Sequence, residues 1–328
     1  MNTYGDKFRV TTYGESHGPA VGAVIDGCPA GIMLDMTAIH DALARRRTGA
    51  PRSEADEVEW LSGLKDGITL GTPIAFCIRN KDTRPDDYAP LEHLFRPGHA
   101  DYTYHVKYGL RDHRGGGRAS ARETAVRVVA GAIARQLMPE ISISSECRVQ
   151  GTELASASVN SELRTPNSEL HDTLGGVVSC RVTGVPAGVG EPLFGKLGAA
   201  LAAAMMSIPS AIGFEMGAGF AAAQMKGSEY IDRWNPQHET SEAGQTTTPL
   251  TATNHCGGIQ GGISNGMPIE FRVAFHPVVS LPQPVECLHE DGHLETVDIR
   301  GRHDRYHIER AAVVVEAMTA LCLINYML

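Results

Sequence analysis

The clearest pattern in the chain is the alternation Ile269-Glu270-Phe271-Arg272-Val273-Ala274-Phe275, with a large apolar side chain at nearly every second position. That period predicts a half-buried strand. A different period governs 120–138, where Ala125, Val128, Val129, Ala132, Ile133 and Leu137 recur at the spacing of one helical face. Ser120 followed by Glu123 reads as a capping box for that helix. Further helices are predicted over 37–47, with Ile39 and Leu43 inward and an end near Gly49, and over about 194–206. The stretch from Pro139 to Asp172, rich in Ser, Glu, Thr and Asn, shows little periodicity and reads as irregular surface chain. Ala311 to Leu328 is apolar enough and long enough to suggest a membrane span, but Glu316 and Asn325 interrupt it, so a buried terminal helix is expected.

Two further segments carry turn signals. Asp291-Gly292 between Val285-Glu286-Cys287-Leu288 and Leu294-Glu295-Thr296-Val297 is a hairpin signature. The same residues spell His289-Glu290-Asp291-Gly292-His293, the His-Glu-x-x-His pattern of zinc proteases. That pattern needs a helix to bring both imidazoles to one face, so no metal is expected here. Asn254 to Gly266 contains five glycines that allow backbone to approach a flat or phosphorylated ligand, yet it fits neither a Walker loop nor a Gly-x-Gly-x-x-Gly fingerprint.

With 328 residues the chain has room for one large domain or two. Catalytic-looking motifs on both sides of 139–172 have to converge, which favours a single domain over 1–328. The net charge of -9 argues against nucleic acid as a partner and requires any anion site to be local. Seven scattered cysteines, odd in number and without Cys-x-x-Cys spacing, suit reduced thiols in a cytoplasmic protein. Met1 to Arg9 has no apolar signal core, and no membrane attachment is expected.

Against that acidic background, arginine is concentrated in the first third: Arg45, Arg46, Arg47, Arg52, Arg96, Arg111, Arg114, Arg118 and Arg122. Guanidinium groups grip phosphate and carboxylate with paired hydrogen bonds. Gly115-Gly116-Gly117-Arg118 delivers the chain to a helix amino terminus, a physically sensible anion cradle. Gly14-Glu15-Ser16-His17-Gly18 places a hydroxyl and an imidazole in a glycine-flanked turn. Adjacent side chains point apart, so a serine-protease arrangement fits it poorly. Arg96-Pro97-Gly98-His99-Ala100-Asp101 and Gly301-Arg302-His303-Asp304 complete the polar clusters.

Taken together, and in this order, these segments resemble the chorismate synthase family. The resemblance also rests on Phe8 to Tyr13, Phe95 to Tyr104, Lys107 to Asp112, Arg118 to Ala125 and Ser207-Ile208-Pro209, so that it spans nearly the whole chain. It implies a lyase that converts 5-enolpyruvylshikimate 3-phosphate to chorismate and phosphate by anti-1,4-elimination with reduced FMN, the last step of the shikimate pathway to aromatic amino acids. It implies an α+β fold, a helical core layered between β-sheets, and a homotetramer. His17 becomes the acid toward the departing phosphate, His99 the residue that tunes the reduced flavin, and Ser16 and Asp304 aids to a proton relay. Arg46, Arg52, Arg96 and Arg122 match substrate-holding positions. Arg118, Ala119, Ser120, Ser210, Gly261, His276, Pro277, Val278, Val279, Ser280 and Arg302 match flavin-holding ones. Electrons for the flavin come, in such a family, from NADPH used by the enzyme itself or from a separate flavin reductase, and both routes stay open.

The sequence also departs from the family pattern. His276 stands where a lysine is usual, Val278 and Val279 where hydroxyl residues are common, Arg305 where proline is usual and Ala119 where serine is frequent. The 139–172 region is short, and the chain stops soon after its terminal helix. These changes keep a second reading in view, a catalytically degenerate member that binds flavin or a phosphorylated ligand. An ordinary flavin oxidoreductase is a third reading, but it needs a nicotinamide fingerprint that the sequence lacks.

Overall fold

In the computed structural model, which describes residues 1–47, 55–149, 172–236, 250–281, 283–298 and 307–328, the alternating pattern at 269–275 is a strand whose Ile269, Phe271, Val273 and Phe275 are buried. Strands β1 (Thr3–Tyr4), β2 (Arg9–Tyr13), β3 (Ala20–Asp26) and β4 (Val58–Ser62) are followed by the short hairpin β5 (Leu64–Lys65) and β6 (Ile68–Thr69), then by β7 (Ile74–Arg79). Five of these form an antiparallel sheet in the order β1-β2-β3-β7-β4. After β8 (Leu94–Phe95), strands β9 (Ser142–Val149), β10 (Gly176–Thr183) and β11 (Ala211–Met216) come next. A hairpin of β12 (Ile259–Gln260) and β13 (Ile263–Ser264) then precedes β14 (Ile269–Phe275). The second sheet has the order β11-β14-β10-β9. A third, β16-β15-β8, joins β15 (Val285–His289) and β16 (Leu294–Val297) to β8, so the expected hairpin is present.

The helices are α1 (Met36–Arg47), α2 (Asp101–Tyr108), α3 (Thr124–Gln136), α4 (Leu197–Met206), α5 (Gly227–Tyr230) and α6 (Ile308–Met327). Helix α3 packs on β2 and β3, α6 packs on β9 and β10, and α1, α3 and α6 pack on one another. The fold is therefore α+β. The α3–α6 contact is close because Gly131 faces Ala317: a Cβ at Gly131 would sit 2.6 Å from the Ala317 Cα. Ile39 and Leu43 of α1 turn inward as their spacing predicts.

Helix α6 is buried from Ile308 through most of its length, and its two polar interruptions are both satisfied. Glu316 accepts from Arg45 at 2.9 and 3.0 Å, from Arg135 at 3.3 Å and from Ser145 at 2.7 Å. Paired this way, the buried carboxylate has both oxygens occupied by donors. Asn325 Oδ1 accepts from the backbone N–H groups of Asp6, Lys7 and Phe8 at 2.8, 2.9 and 3.1 Å, which pins the amino terminus to the last helix. Among the described residues, no helix is long and apolar enough to cross a membrane.

Two sequence expectations change. Residues 142–149 are not irregular chain but strand β9, whose inward positions Ile143, Ser145 and Cys147 include a serine that hides the alternation. The capping box at Ser120 does not close: its hydroxyl accepts from the Arg122 N–H at 3.3 Å within a 3-10 turn, and α3 starts only at Thr124. Glu123 is diverted, accepting from the Thr12 hydroxyl at 2.8 Å and pairing with Arg127 at 2.8 Å. All seven cysteines are free thiols.

Candidate active site

A cavity of about 920 Å³ lies where the glycine run before α3, the start of α2, the chain after β14 and the amino end of α6 meet. The turn after β2 packs behind the glycine run and puts Glu15 on the wall. Asn80 Nδ2 donates to the carbonyls of Glu15 and Gly18 at 3.0 and 2.8 Å, and the Ser16 N–H donates to the Gly117 carbonyl at 3.3 Å. These bonds hold Gly14–Gly18 against Gly115–Gly117. Gly115 is indispensable to that approach, since its φ is 77° and a Cβ there would lie 2.7 Å from His17 Cδ2 and 3.2 Å from Ser16 Oγ. The aromatic edge of Tyr88 meets the His17 ring at 4.9 Å.

Charge on the walls is locally positive in an acidic chain. Among the described residues, six arginines (46, 96, 111, 118, 127 and 310) line the cavity against four carboxylates. Several of those carboxylates act as arginine holders. Asp101 takes Arg96 bidentately, Nε to Oδ2 at 2.7 Å and Nη2 to Oδ1 at 2.9 Å, with both side chains buried. Burial pushes the Asp101 carboxyl up, but Arg96 and Arg111 outweigh it and hold it below its ordinary value. Arg118 reaches the Thr12 hydroxyl at 2.6 Å and the Gly14 carbonyl at 3.2 Å. Arg46 is fixed by the Thr124 hydroxyl at 3.0 Å and the Ala121 carbonyl at 2.7 Å. Burial pulls its guanidinium down to about 10, still far above neutrality, so it stays cationic.

Two histidines on the wall are held neutral. His99 Nδ1 lies 2.9 Å from the Pro97 carbonyl and Nε2 lies 2.9 Å from Ser280 Oγ; burial, aided by Arg96, depresses its pKa. His307 Nε2 lies 2.6 Å from Ser210 Oγ, and burial with Arg310 and His276 nearby lowers its pKa to about 4. Ser210 itself sits at a φ of 66°, a strained position for a side chain, at the turn between α4 and β11.

Of the residues singled out from sequence, Arg46, Arg96, His99, Arg118, Ala119, Ser120, Ser210, His276, Val278, Val279 and Ser280 line this one cavity. Ser16 and His17 stand directly behind Gly115 rather than on the open wall. Arg122 is not on the wall either. It is buried in an ion pair with Asp56 and donates to Asn80 Oδ1 at 2.9 Å. Pro277 is not among the lining residues, and Gly261 sits on the β12–β13 hairpin outside the cavity. Arg52, Arg302 and Asp304 fall outside the described residues. Sequence reasoning missed the wall residues Tyr88, Arg127, His307 and Arg310. Tyr88 lies in a short 3-10 helix, Pro85–Leu91, whose acidic and proline-containing sequence shows no periodicity, and His307 opens a helix with no motif of its own, so neither gave a signal.

A pocket whose arginines are pre-positioned by carboxylates, with neutral imidazoles among them, has the chemistry of an enzyme site for a small, multiply anionic molecule. The comparisons with known proteins agree in direction and name the family. Residues 8–328 match the sequence profile described as chorismate synthase. Chorismate synthase from Porphyromonas gingivalis is 48% identical, with 98% of this chain and 94% of that protein aligned. The one from Parabacteroides distasonis is 46% identical over 100% of this chain and 98% of its own. A crystal structure of chorismate synthase superposes with a TM-score of 0.73 at 30% identity, covering 99% of this chain and 92% of that one. The chain belongs to the chorismate synthase family, whose role is the last step of the shikimate pathway, and it is a carbon–oxygen lyase.

Proposed function

We propose that this enzyme converts 5-enolpyruvylshikimate 3-phosphate to chorismate and phosphate by anti-1,4-elimination, with reduced FMN held in the same cavity. The observation that carries the reading is the convergence on one cavity of Arg46, Arg96, Arg118, His99, Ser210 and Ser280, drawn from distant parts of the chain. At about 920 Å³ the cavity lies near the upper end of the range for small-molecule sites, roughly 300–1,000 Å³, which suits a cofactor and a substrate together.

The residues that would hold the flavin are Arg118, Ala119, Ser120, Ser210, His276, Val278, Val279 and Ser280, all of which line the cavity. Hydroxyls and a guanidinium suit a phosphate, while Val278 and Val279 offer apolar contact to a flat ring. When bound, reduced FMN supplies transient electron density to an otherwise poor C–O cleavage. The chain's own part is charge and protons. Arg46 and Arg96, fixed before substrate arrives, neutralise the phosphate and carboxylates without reorganising. His17 is the proton source for the departing phosphate, and Gly115 is the thin point of the wall that lets its ring approach. His99, neutral and tethered at both nitrogens, keeps an uncharged ring beside the cofactor. A homotetramer, a layered β-α-β sandwich, a cytoplasmic site of action, and reduction of the flavin by NADPH or by a separate reductase belong to the same reading.

The test is product formation: 5-enolpyruvylshikimate 3-phosphate and chemically reduced FMN under anaerobic conditions, followed by chorismate absorbance and released phosphate. Phosphate and chorismate in equal amounts support the reading.

A further inference from the structure

The turn of the β15–β16 hairpin carries a cluster that the reaction does not use. Backbone bonds define it: the Gly292 N–H donates to the His289 carbonyl at 2.9 Å, and the His289 N–H donates to the His293 carbonyl at 2.9 Å. Gly292, with φ 96°, supplies the left-handed residue that closes such a three-residue loop. His289 and His293 thereby become the closing pair of the hairpin, and their rings stack with centroids 4.6 Å apart. A helix is thus not the sole way to bring an i, i+4 histidine pair to one face. Asp291 lies between them, with Oδ1 3.0 Å from His289 Nδ1 and 2.5 Å from His293 Nδ1. Beside this triad is a second one, in which Glu290 lies 3.1 Å from His93 Nδ1 and 3.9 Å from His105 Nδ1.

We propose that this hairpin tip is a binding site for a divalent transition-metal ion of the zinc type, with His289, Asp291 and His293 as protein ligands and water completing the shell. Two imidazoles and a carboxylate are a donor set that suits Zn²⁺, Ni²⁺ or Cu²⁺ rather than Mg²⁺ or Ca²⁺. The candidate donor atoms all lie within 4.8 Å of one another. Tetrahedral coordination with bonds of about 2.0–2.1 Å places donors about 3.4 Å apart, so Asp291 has to draw back by about 0.4 Å from His289 and by about 0.9 Å from His293, within reach of side-chain rotation. All three are solvent-accessible and free to do so. On binding, each Nδ1 presents its lone pair to the ion while the ring's single proton sits on Nε2; a neutral ring that carries its proton on Nδ1 beforehand changes tautomer, and the Asp291 N–H that His289 Nδ1 accepts at 3.2 Å gives way to the metal. The site is separate from the cavity, and its occupancy is independent of the proposed reaction.

The test uses the full-length protein stripped with EDTA and titrated with Zn²⁺ against a chromogenic chelator. One Zn²⁺ per chain at micromolar affinity is expected, weakened at least tenfold by His293→Ala and by Asp291→Asn, and unchanged by His40→Ala, an exposed histidine elsewhere. Co²⁺ in place of Zn²⁺ should give a spectrum without a thiolate charge-transfer band, which separates this site from the cysteines. Melting in EDTA shows whether a variant has lost ligands or lost its fold, and His293→Gln carries the test if the alanine variant melts early. Absence of stoichiometric uptake, uptake that survives loss of both His289 and His293, or a thiolate band overturns the proposal and leaves Asp291 as a turn cap.

Discussion

Nε2 of His99 lies 2.9 Å from the hydroxyl of Ser280, while the other ring nitrogen faces the carbonyl of Pro97 at 2.9 Å. A carbonyl can only accept, so Nδ1 carries the proton, and in the neutral ring Nε2 accepts from Ser280. Burial and Arg96 depress the pKa below its ordinary 6.5. The expected result from imidazole nitrogen NMR at neutral pH is an uncharged His99 in the Nδ1–H form. A protonated ring, or the other tautomer, contradicts this placement.

Arg96 is pre-positioned by a buried partner, and that arrangement has a stability consequence. Removing Asp101 leaves a guanidinium inside the protein with its carboxylate gone. Asp101→Ala is expected to cost about 3–5 kcal/mol in urea unfolding, the range for a broken buried pair. A loss below about 1 kcal/mol would mean that Arg96 finds compensation elsewhere, such as the Gly115 carbonyl 3.2 Å away.

Gly115 separates the cavity from His17 by bare backbone. Gly115→Ala meets two obstacles, a φ of 77° and a Cβ 2.7 Å from His17 Cδ2. The backbone penalty is about 1–2 kcal/mol, which a folded enzyme survives, whereas the displaced imidazole is the proposed acid. The variant should therefore fold, keep its Michaelis constant within a few-fold and lose turnover to an extent similar to His17→Ala. Retained turnover, or a collapse of substrate binding in parallel, sinks the assignment of His17.

His307 contributes a pH dependence of stability whose sign is fixed by its depressed pKa. The unfolded chain takes up the proton near 6.5 and the folded one only near 4. The stability is thus complete above about pH 6.5 and is lost as pH falls toward 4. Between about pH 7 and about pH 5 the loss is about 2 kcal/mol. His307→Gln, which keeps a hydrogen-bonding group near Ser210 without a titrating ring, should flatten that part of the urea-unfolding profile. An unchanged slope shows that the ring is not protected from protonation.

How far the sequence reaches depends on what kind of information each element carries. Strand β14 and helix α3 are visible because their periods, 2 and 3.6, are set by local geometry. Strand β9 is hidden because Ser145 occupies an inward position, and only the distant Glu316 explains why a hydroxyl is tolerated there. The same limit applies at the site. Arginine concentration reveals an anion pocket, but it cannot separate Arg96, which lines the cavity, from Arg122, which is consumed by Asp56. Ser120 and Glu123 satisfy the local capping rule, yet Thr12 and Arg127 claim the glutamate. His307 and Tyr88 join the wall through tertiary packing alone.

The most direct measurement is anaerobic turnover of 5-enolpyruvylshikimate 3-phosphate by the purified protein with chemically reduced FMN and no nicotinamide, read as chorismate absorbance and as phosphate. The account predicts both products in equal amounts, with activity absent when the FMN is oxidised. Demonstrable binding of FMN and substrate without either product would contradict it, and would identify the chain as a member of its family that binds these ligands but does not act on them.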